Sequence, residues 1–255
     1  MWHDTGLGIA AVVVLPLLVV IAVAASRVAA LRHERGVVEA AVRAAVQLAV
    51  VGTLIGFALR SMAGALGFVA LMLGVATLTS SRRIGRFVRV PGLVPRCAVA
   101  IGLPAALVIA LVVAPGVVPR NPATLLPMGG IVVGNAMNAT TLAGRRLLAE
   151  YANRYGEFEA GLSIGLSPAA AFRLVAGPSA GDALIPALDQ TRTVGLVTLP
   201  GAFVGMVLGG ASPAAAAALQ LVVLIALLAA GSLAILTITE LLCRASLPDG
   251  RSVRP

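Results

Sequence analysis

The sequence predicts an all-α, polytopic integral membrane protein of about seven transmembrane helices with one long cytoplasmic coupling loop. Three observations lead there. Of the 255 residues, 59% are hydrophobic and only 11% charged, with a mean hydropathy of +1.02, where soluble domains carry roughly 25% charged residues. Apolar runs close to the ~20 residues that span hydrocarbon as a helix recur along the chain. There is no lysine, and the arginines cluster beside the apolar runs, which is a pattern of membrane topology rather than of nucleic-acid binding. Membrane lipid is therefore an expected partner and nucleic acid is not.

Seven apolar segments are read, at roughly 7–26, 42–59, 62–81, 97–118, 123–143, 194–211 and 214–242. The first is preceded by Asp4 and by no Lys or Arg, the wrong flank for a secretory signal, so Ala22-Val23-Ala24 belongs to an uncleaved span kinked at Pro16. Only Arg60 and Ser61 part the second span from the third, which asks for a tight extracytoplasmic hairpin. Asn121-Pro122 opens the fifth span and Ser212-Pro213 the seventh, each a capping side chain before a proline at the first helical position. Ser167-Pro168 repeats that signal inside the long gap over about 144–193. There the pattern predicts an amphipathic helix over about 144–165 carrying Glu150, Glu157 and Glu159, a break at Gly165, and a second helix from Pro168. Spans five and six hold interruptions, at Pro127 to Gly130 and at Pro200-Gly201. Proline frees a carbonyl at depth, where it must face protein or water, so Pro127, Gly130, Pro200 and Gly201 are candidate hinges.

Orientation follows from arginine. Four flank the first gap, five fill the gap after span three, five lie in the long loop and three in the tail, against only Arg60 and Arg120 on the other side. Arginine is held inside, so the amino terminus is outside and the carboxyl terminus cytoplasmic, in one transmembrane domain over 1–255 in the plasma membrane (for a bacterium, the inner membrane). Cys97 and Cys243 form no disulfide framework and read as reduced structural thiols.

Catalytic patterns are missing. There is no H-E-x-x-H, no G-x-S-x-G, and no lysine with which a P-loop would hold phosphates. No cluster of Cys, His or intramembrane carboxylates offers a closed metal site, and no cofactor is expected. Any ATP used must be hydrolysed by another subunit. Within the spans, Asn135 and Asn138 lie on one helix face and should turn inward, away from lipid. They serve either as interhelical hydrogen-bond glue or as a pathway lining. Gly52/Gly56, Gly130/Gly134 and Gly201/Gly205/Gly209 are small-xxx-small steps, either intrachain packing or a subunit interface.

Glu159-Ala160, followed by Gly165-Leu166-Ser167-Pro168, resembles the E-A-A…G pattern in the cytoplasmic loop of ABC-transporter permeases. The run from Met128 to Ala139, the run Ile185 to Gly201 (IPALDQTRTVGLVTLPG) and the stretch Ser212 to Gln220 resemble the FetB-like iron-export permeases, a family that includes plant aluminium-tolerance half-transporters. The likeness covers about 127–220 in order. It departs at Gly161, where the second alanine is expected, at Arg192, where lysine is common, and at Ala202-Phe203, where methionines often stand. The resemblance implies a permease homodimer with an ATP-binding ABC subunit gripping Glu159, Ala160, Gly165, Ser167 and Pro168. Iron as cargo is likewise what the resemblance implies; the residues themselves give Asn135, Met137 and Asn138 as the path lining of such a permease, and Pro127, Gly130, Pro200 and Gly201 as its hinges. A permease for another substrate and a membrane scaffold are the alternatives.

Overall fold

The computed structural model describes residues 9–31, 33–86 and 90–245; His3, Asp4, Arg32, Arg89, Asp249, Arg251 and Arg254 lie outside the described residues. Those residues are helical with no strand among them, and their contacts separate two compact units, Met1–Ala58 and Leu59–Pro255.

The first unit pairs α1 (Ile9–Val28) with α2 (Glu34–Ala58). α1 runs on through Pro16. It stops where Leu31 N–H bonds Ser26 C=O at 2.9 Å, with Ala30 at φ 51°, a left-handed stop more often taken by glycine. α2 begins well before residue 42, because Glu34, Arg35, Glu39 and Arg43 make a water-soluble first part. Glu39 and Arg43 pair at 2.7 Å one turn apart, a spacing that supports a helix in water.

In the second unit, α3 (Met62–Gly85) starts on Ser61, whose Oγ accepts from Gly64 N–H at 3.0 Å. α4 is Leu93–Val113 and α5 is Pro122–Asn153. α6 is Tyr155–Ser163 and α7 is Pro168–Ala176. A 3₁₀ stretch (Gly177–Leu184) leads to α8 (Ile185–Thr193), then α9 (Gly201–Leu208) and α10 (Pro213–Cys243). The proline starts behave as read. Asn121 Oδ1 accepts from Thr124 N–H at 2.8 Å, and Ser167 and Ser212 each cap the third residue on at 3.3 Å. Among the described residues, five helices are long and apolar enough to cross a membrane: α1, α2, α3, α4 and α10. α5 is longer still, at 32 residues, but its asparagines, threonines and Arg145-Arg146 dilute it.

Helix directions are fixed by contact pairs. A Cβ on Gly129 would lie 2.7 Å from Val69, and one on Gly144 2.6 Å from Ile84; Thr141 Oγ1 donates to Ser80 Oγ at 3.0 Å. Residue numbers rise together, so α3 and α5 run parallel and nearly in register over four turns. Small residues let the two backbones close, the main source of helix association where lipid is as apolar as leucine. α4 is antiparallel to α3, since Gly85 meets Leu93 and Gly102 meets Leu73. α10 is parallel to α5, since Asn135 reaches Leu227 and both Asn135 and Ala139 approach Gly231.

Two parallel consecutive long helices require the chain between them to return along the bundle, and it does so beside α10. Arg173 pairs with Glu240 at 2.7 Å, near the end of α10. Leu184 Cδ1 lies 3.3 Å from where a Cβ on Gly231 would be, about 18 Å back from Cys243 at about 1.5 Å per residue. Val194 to Phe203 then meets Ala217, Gln220 and Leu224. Two expectations change. The return crossing begins near Leu184 rather than at 194, so α8, read as part of the loop, runs alongside the bundle. The interruption expected in span five is absent, since α5 passes Pro127 unbroken. The donor lost there would have served the carbonyl of Ala123, in the first turn, and Gly129 and Gly130 serve close approach to Val69 and Met72. The real interruption is Val194–Pro200, between two helices of nine and eight residues.

Candidate functional site

Glu159, Ala160, Gly165, Ser167 and Pro168 come together on one exposed hairpin, α6–turn–α7. Gly165 at φ +92° closes α6: its N–H bonds Leu162 C=O at 3.0 Å, and Leu166 N–H bonds Gly161 C=O at 3.1 Å, the paired bonds that satisfy the last carbonyls of a helix. Gly161, the departure from E-A-A, is buried where α6 meets α7, and a Cβ there would stand 3.3 Å from Ala171 Cβ. Behind the hairpin, Tyr151 makes ring contacts with Tyr155, Phe158 and Phe172 at 5.5, 5.1 and 5.4 Å. Arg154, at the joint between α5 and α6, pairs with Glu157 and Glu150 and donates to Val175 C=O at 3.4 Å. The hydrogen bond from Arg154 holds the Glu157 carboxyl below its usual range. Arg146 pairs with Asp182 at 2.8 Å. The hairpin is thus fastened to α5 through the aromatic cluster and to α10 through Arg173–Glu240. Its outer side shows Glu159, Ala160, Leu162 and Ile164, the last 80% exposed.

The pathway candidates on α5 separate. Asn135 is half-buried and donates to Leu227 C=O of α10 at 2.8 Å, the glue role. Met137 is half-buried against the core, and Asn138 is exposed on the surface of the single chain rather than turned inward. Replacing Asn135 by alanine is expected to cost about 0.6 kcal/mol, up to ~1.7, the measured range for hydrogen bonds between membrane helices; denaturant unfolding in detergent would read it.

Pro200 and Gly201 lie at the break. Thr193 C=O accepts from Leu196, Val197 and Thr198 at 3.3, 3.0 and 3.3 Å, Gly195 stands at φ +83°, and Pro200 starts α9. A cavity of about 350 Å³ lies there, lined by Gly195, Leu199, Pro200, Phe203, Gln220 and Leu224 among others. Gln220 is 5% exposed, and its Oε1 has no hydrogen-bond partner among the described residues. Gln220, Arg154 and the Arg173–Glu240 pair went unassigned in the sequence, although a lone amide within an apolar helix was a visible signal. The described residues contain no group of three or more His, Cys, Asp or Glu able to hold a metal.

Parallel long helices joined by a broken return segment, with a fastened hairpin at one end, define a polytopic helical membrane protein. The chain belongs to the uncharacterised protein family UPF0014, whose pattern matches residues 9–247. It is 33% identical to the UPF0014 membrane protein STAR2 of Oryza sativa subsp. japonica over 94% of this chain and 84% of that protein. It is 31% identical to the UPF0014 membrane protein YjkA of Bacillus subtilis over 78% of this chain and 80% of the other. It is 33% identical to the probable iron export permease protein FetB of Escherichia coli over 53% of this chain and 52% of that one. No solved structure matches.

Proposed function

We propose that the chain is the membrane-spanning permease subunit of an ATP-driven metal exporter, acting as a homodimer with a separate ATP-hydrolysing ABC subunit. One observation carries this reading: the α6–turn–α7 hairpin is exposed at its tip yet fastened behind to both α5 and α10. A push on such a hairpin moves two long helices as levers. The E-A-A-like residues Glu159 and Ala160 sit on that tip, as a docking site for an ATPase requires. The chain has no lysine with which a P-loop would hold ATP. In this reading the amino terminus is outside, the hairpin and carboxyl terminus are in the cytosol, and the bacterial location is the inner membrane.

Iron as cargo is supported by the name of the Escherichia coli relative. Exposure of Asn138 on the single chain suits a path enclosed only when two copies meet, and the unpacked face of Gly201 and Gly205 suits the same interface. Pro200 and Gly201 lie at the break between α8 and α9 and serve as the hinge; Pro127 and Gly130 are at most points of bending within an unbroken α5. Copurification of the full-length chain with an ATPase from its native host tests the subunit reading, and recovery of the chain alone would remove it. Asn138→Leu is expected to lower transport at least fivefold with dimer assembly intact. Unchanged transport would leave Asn138 outside the path.

A further inference from the structure

We propose that the groove between α1 and α2 holds one anionic phospholipid, with an acyl chain among its valines and the phosphate at Arg27 and Arg35. The site lies wholly within the first unit and stands apart from the permease reading.

Shape is the first argument. Two cavities run into each other along this helix pair. One, of about 740 Å³, is lined at its charged end by Arg27, Glu34 and Arg35. The other, of about 890 Å³, is lined by aliphatic side chains and Pro16 alone. Val38 and Val42 of α2 line both, so the two form one groove, polar at one end and apolar at the other. From Glu34 to Ala49 it runs about 22 Å, counted along α2. One leaflet supplies ~15 Å of hydrocarbon and ~5–7 Å of headgroup layer, so a single lipid matches the groove from end to end. Among the described residues, α1 and α2 bury only Ser26 and Ala58, and their own side chains leave the groove open. An unfilled gap between helices forfeits dispersion contacts on both walls, and a flexible acyl chain restores them.

Charge is the second argument, and it selects the head. Glu39 is already paired with Arg43 at 2.7 Å. Arg27, Arg35 and Glu34 make no ion pair among the described residues. Two arginines against one glutamate leave a single net positive charge at the polar end. A phosphodiester carries the one negative charge that answers it, and a guanidinium grips phosphate oxygens through paired N–H donors. Basic side chains at the end of a membrane helix attract anionic headgroups for the same reason.

A second copy of the chain is the competing occupant, and its charges do not suit the groove. Glu39, Glu150, Glu157, Asp182, Asp189 and Glu240 are each paired with an arginine of their own chain. A helix from that copy would fill the apolar end and leave Arg27 and Arg35 unanswered.

The test is native mass spectrometry of the purified full-length chain, in detergent micelles carrying equal amounts of phosphatidylglycerol, phosphatidylethanolamine and phosphatidylcholine. The wild-type chain is expected to retain phosphatidylglycerol about twentyfold over either zwitterionic lipid, because one arginine near an anionic headgroup favours it about fivefold and two act here. Arg27→Gln combined with Arg35→Gln is expected to abolish that preference, and Arg27→Lys combined with Arg35→Lys to keep most of it. Equal retention of the three lipids by the wild-type chain overturns the proposal by itself, whether or not the variants assemble. Wild-type preference in the glutamine pair overturns the placing of the head at these arginines. Val42→Cys sets a benzophenone probe in the groove, and labelling is confined to it because Cys97 and Cys243 are buried. In membranes the probe is expected to crosslink to lipid. Crosslinking to a peptide of a second copy instead overturns the choice of occupant.

Discussion

Glu159→Arg and Gly165→Val are each expected to reduce ATP-driven transport at least tenfold while the protein still inserts and assembles. The two act differently. Gly165 sits at φ +92°, its own N–H makes one of the two bonds that end α6, and Leu166 N–H, the next along, makes the other. A left-handed backbone costs an ordinary L-residue roughly 1–2 kcal/mol, and more for a β-branched one. That strain is small against the packing of Phe172, Leu147 and Ile84, all essentially buried behind the hairpin. The bundle therefore holds and the turn moves, carrying Glu159 and Ile164 out of register with a partner. Glu159→Arg leaves the turn alone and reverses one charge on an exposed surface, so it tests the contact without the shape. Transport and ATP hydrolysis measured on the same proteoliposomes separate the outcomes. Hydrolysis that continues without transport is the uncoupling expected. Transport within twofold of wild type in both variants would remove the hairpin from coupling.

Different parts of the architecture are legible in the sequence to different degrees, for reasons that trace to particular residues. Proline-capped helix starts are legible because Asn121, Ser167 and Ser212 act over three residues, with no help from tertiary structure. Gly165 is legible for the same reason. Hydropathy places the apolar helices but misplaces the return crossing. α8 carries Asp189, Gln190, Thr191, Arg192 and Thr193, and an average over such a segment registers water even when the helix lies along α10. Only the parallel direction of α5 and α10 shows that the chain must climb there. Pro127 misleads in the opposite sense: a proline five residues into a helix removes a bond near the frayed first turn, and α5 continues. Asn138 points away from its own chain because the inward positions of α5 are taken by Ala136, Ala139 and Ala143, each closely packed. Fastenings such as Arg173–Glu240 join residues 67 apart and leave no trace in local pattern.

Gly144→Leu is expected to do the most structural damage of any single change proposed for this chain. At Gly144 a Cβ would stand 2.6 Å from Ile84 Cδ1 and 3.1 Å from its Cγ1. Ile84 is fully buried, so its side chain has to shift within a packed core. Overpacking of this kind costs about 1–3 kcal/mol in soluble cores. Here it strikes the contact on which association depends, since lipid supplies no hydrophobic penalty for helices that part. The site also joins the parallel α3–α5 pair to the hairpin, because Leu147, Leu148 and Tyr151 follow within two turns. Separation at Gly144 would therefore loosen the lever as well as the bundle. Gly134→Leu on the same helix is the control, since no atom lies within 4 Å of a Cβ there, and it is expected to leave folding unchanged. Ile84→Ala should restore most of the loss when combined with Gly144→Leu. A double-mutant cycle on detergent melting would show coupling of about 1 kcal/mol or more if the two side chains compete for one space. Additive losses would mean that Gly144 matters for some reason other than its contact with α3.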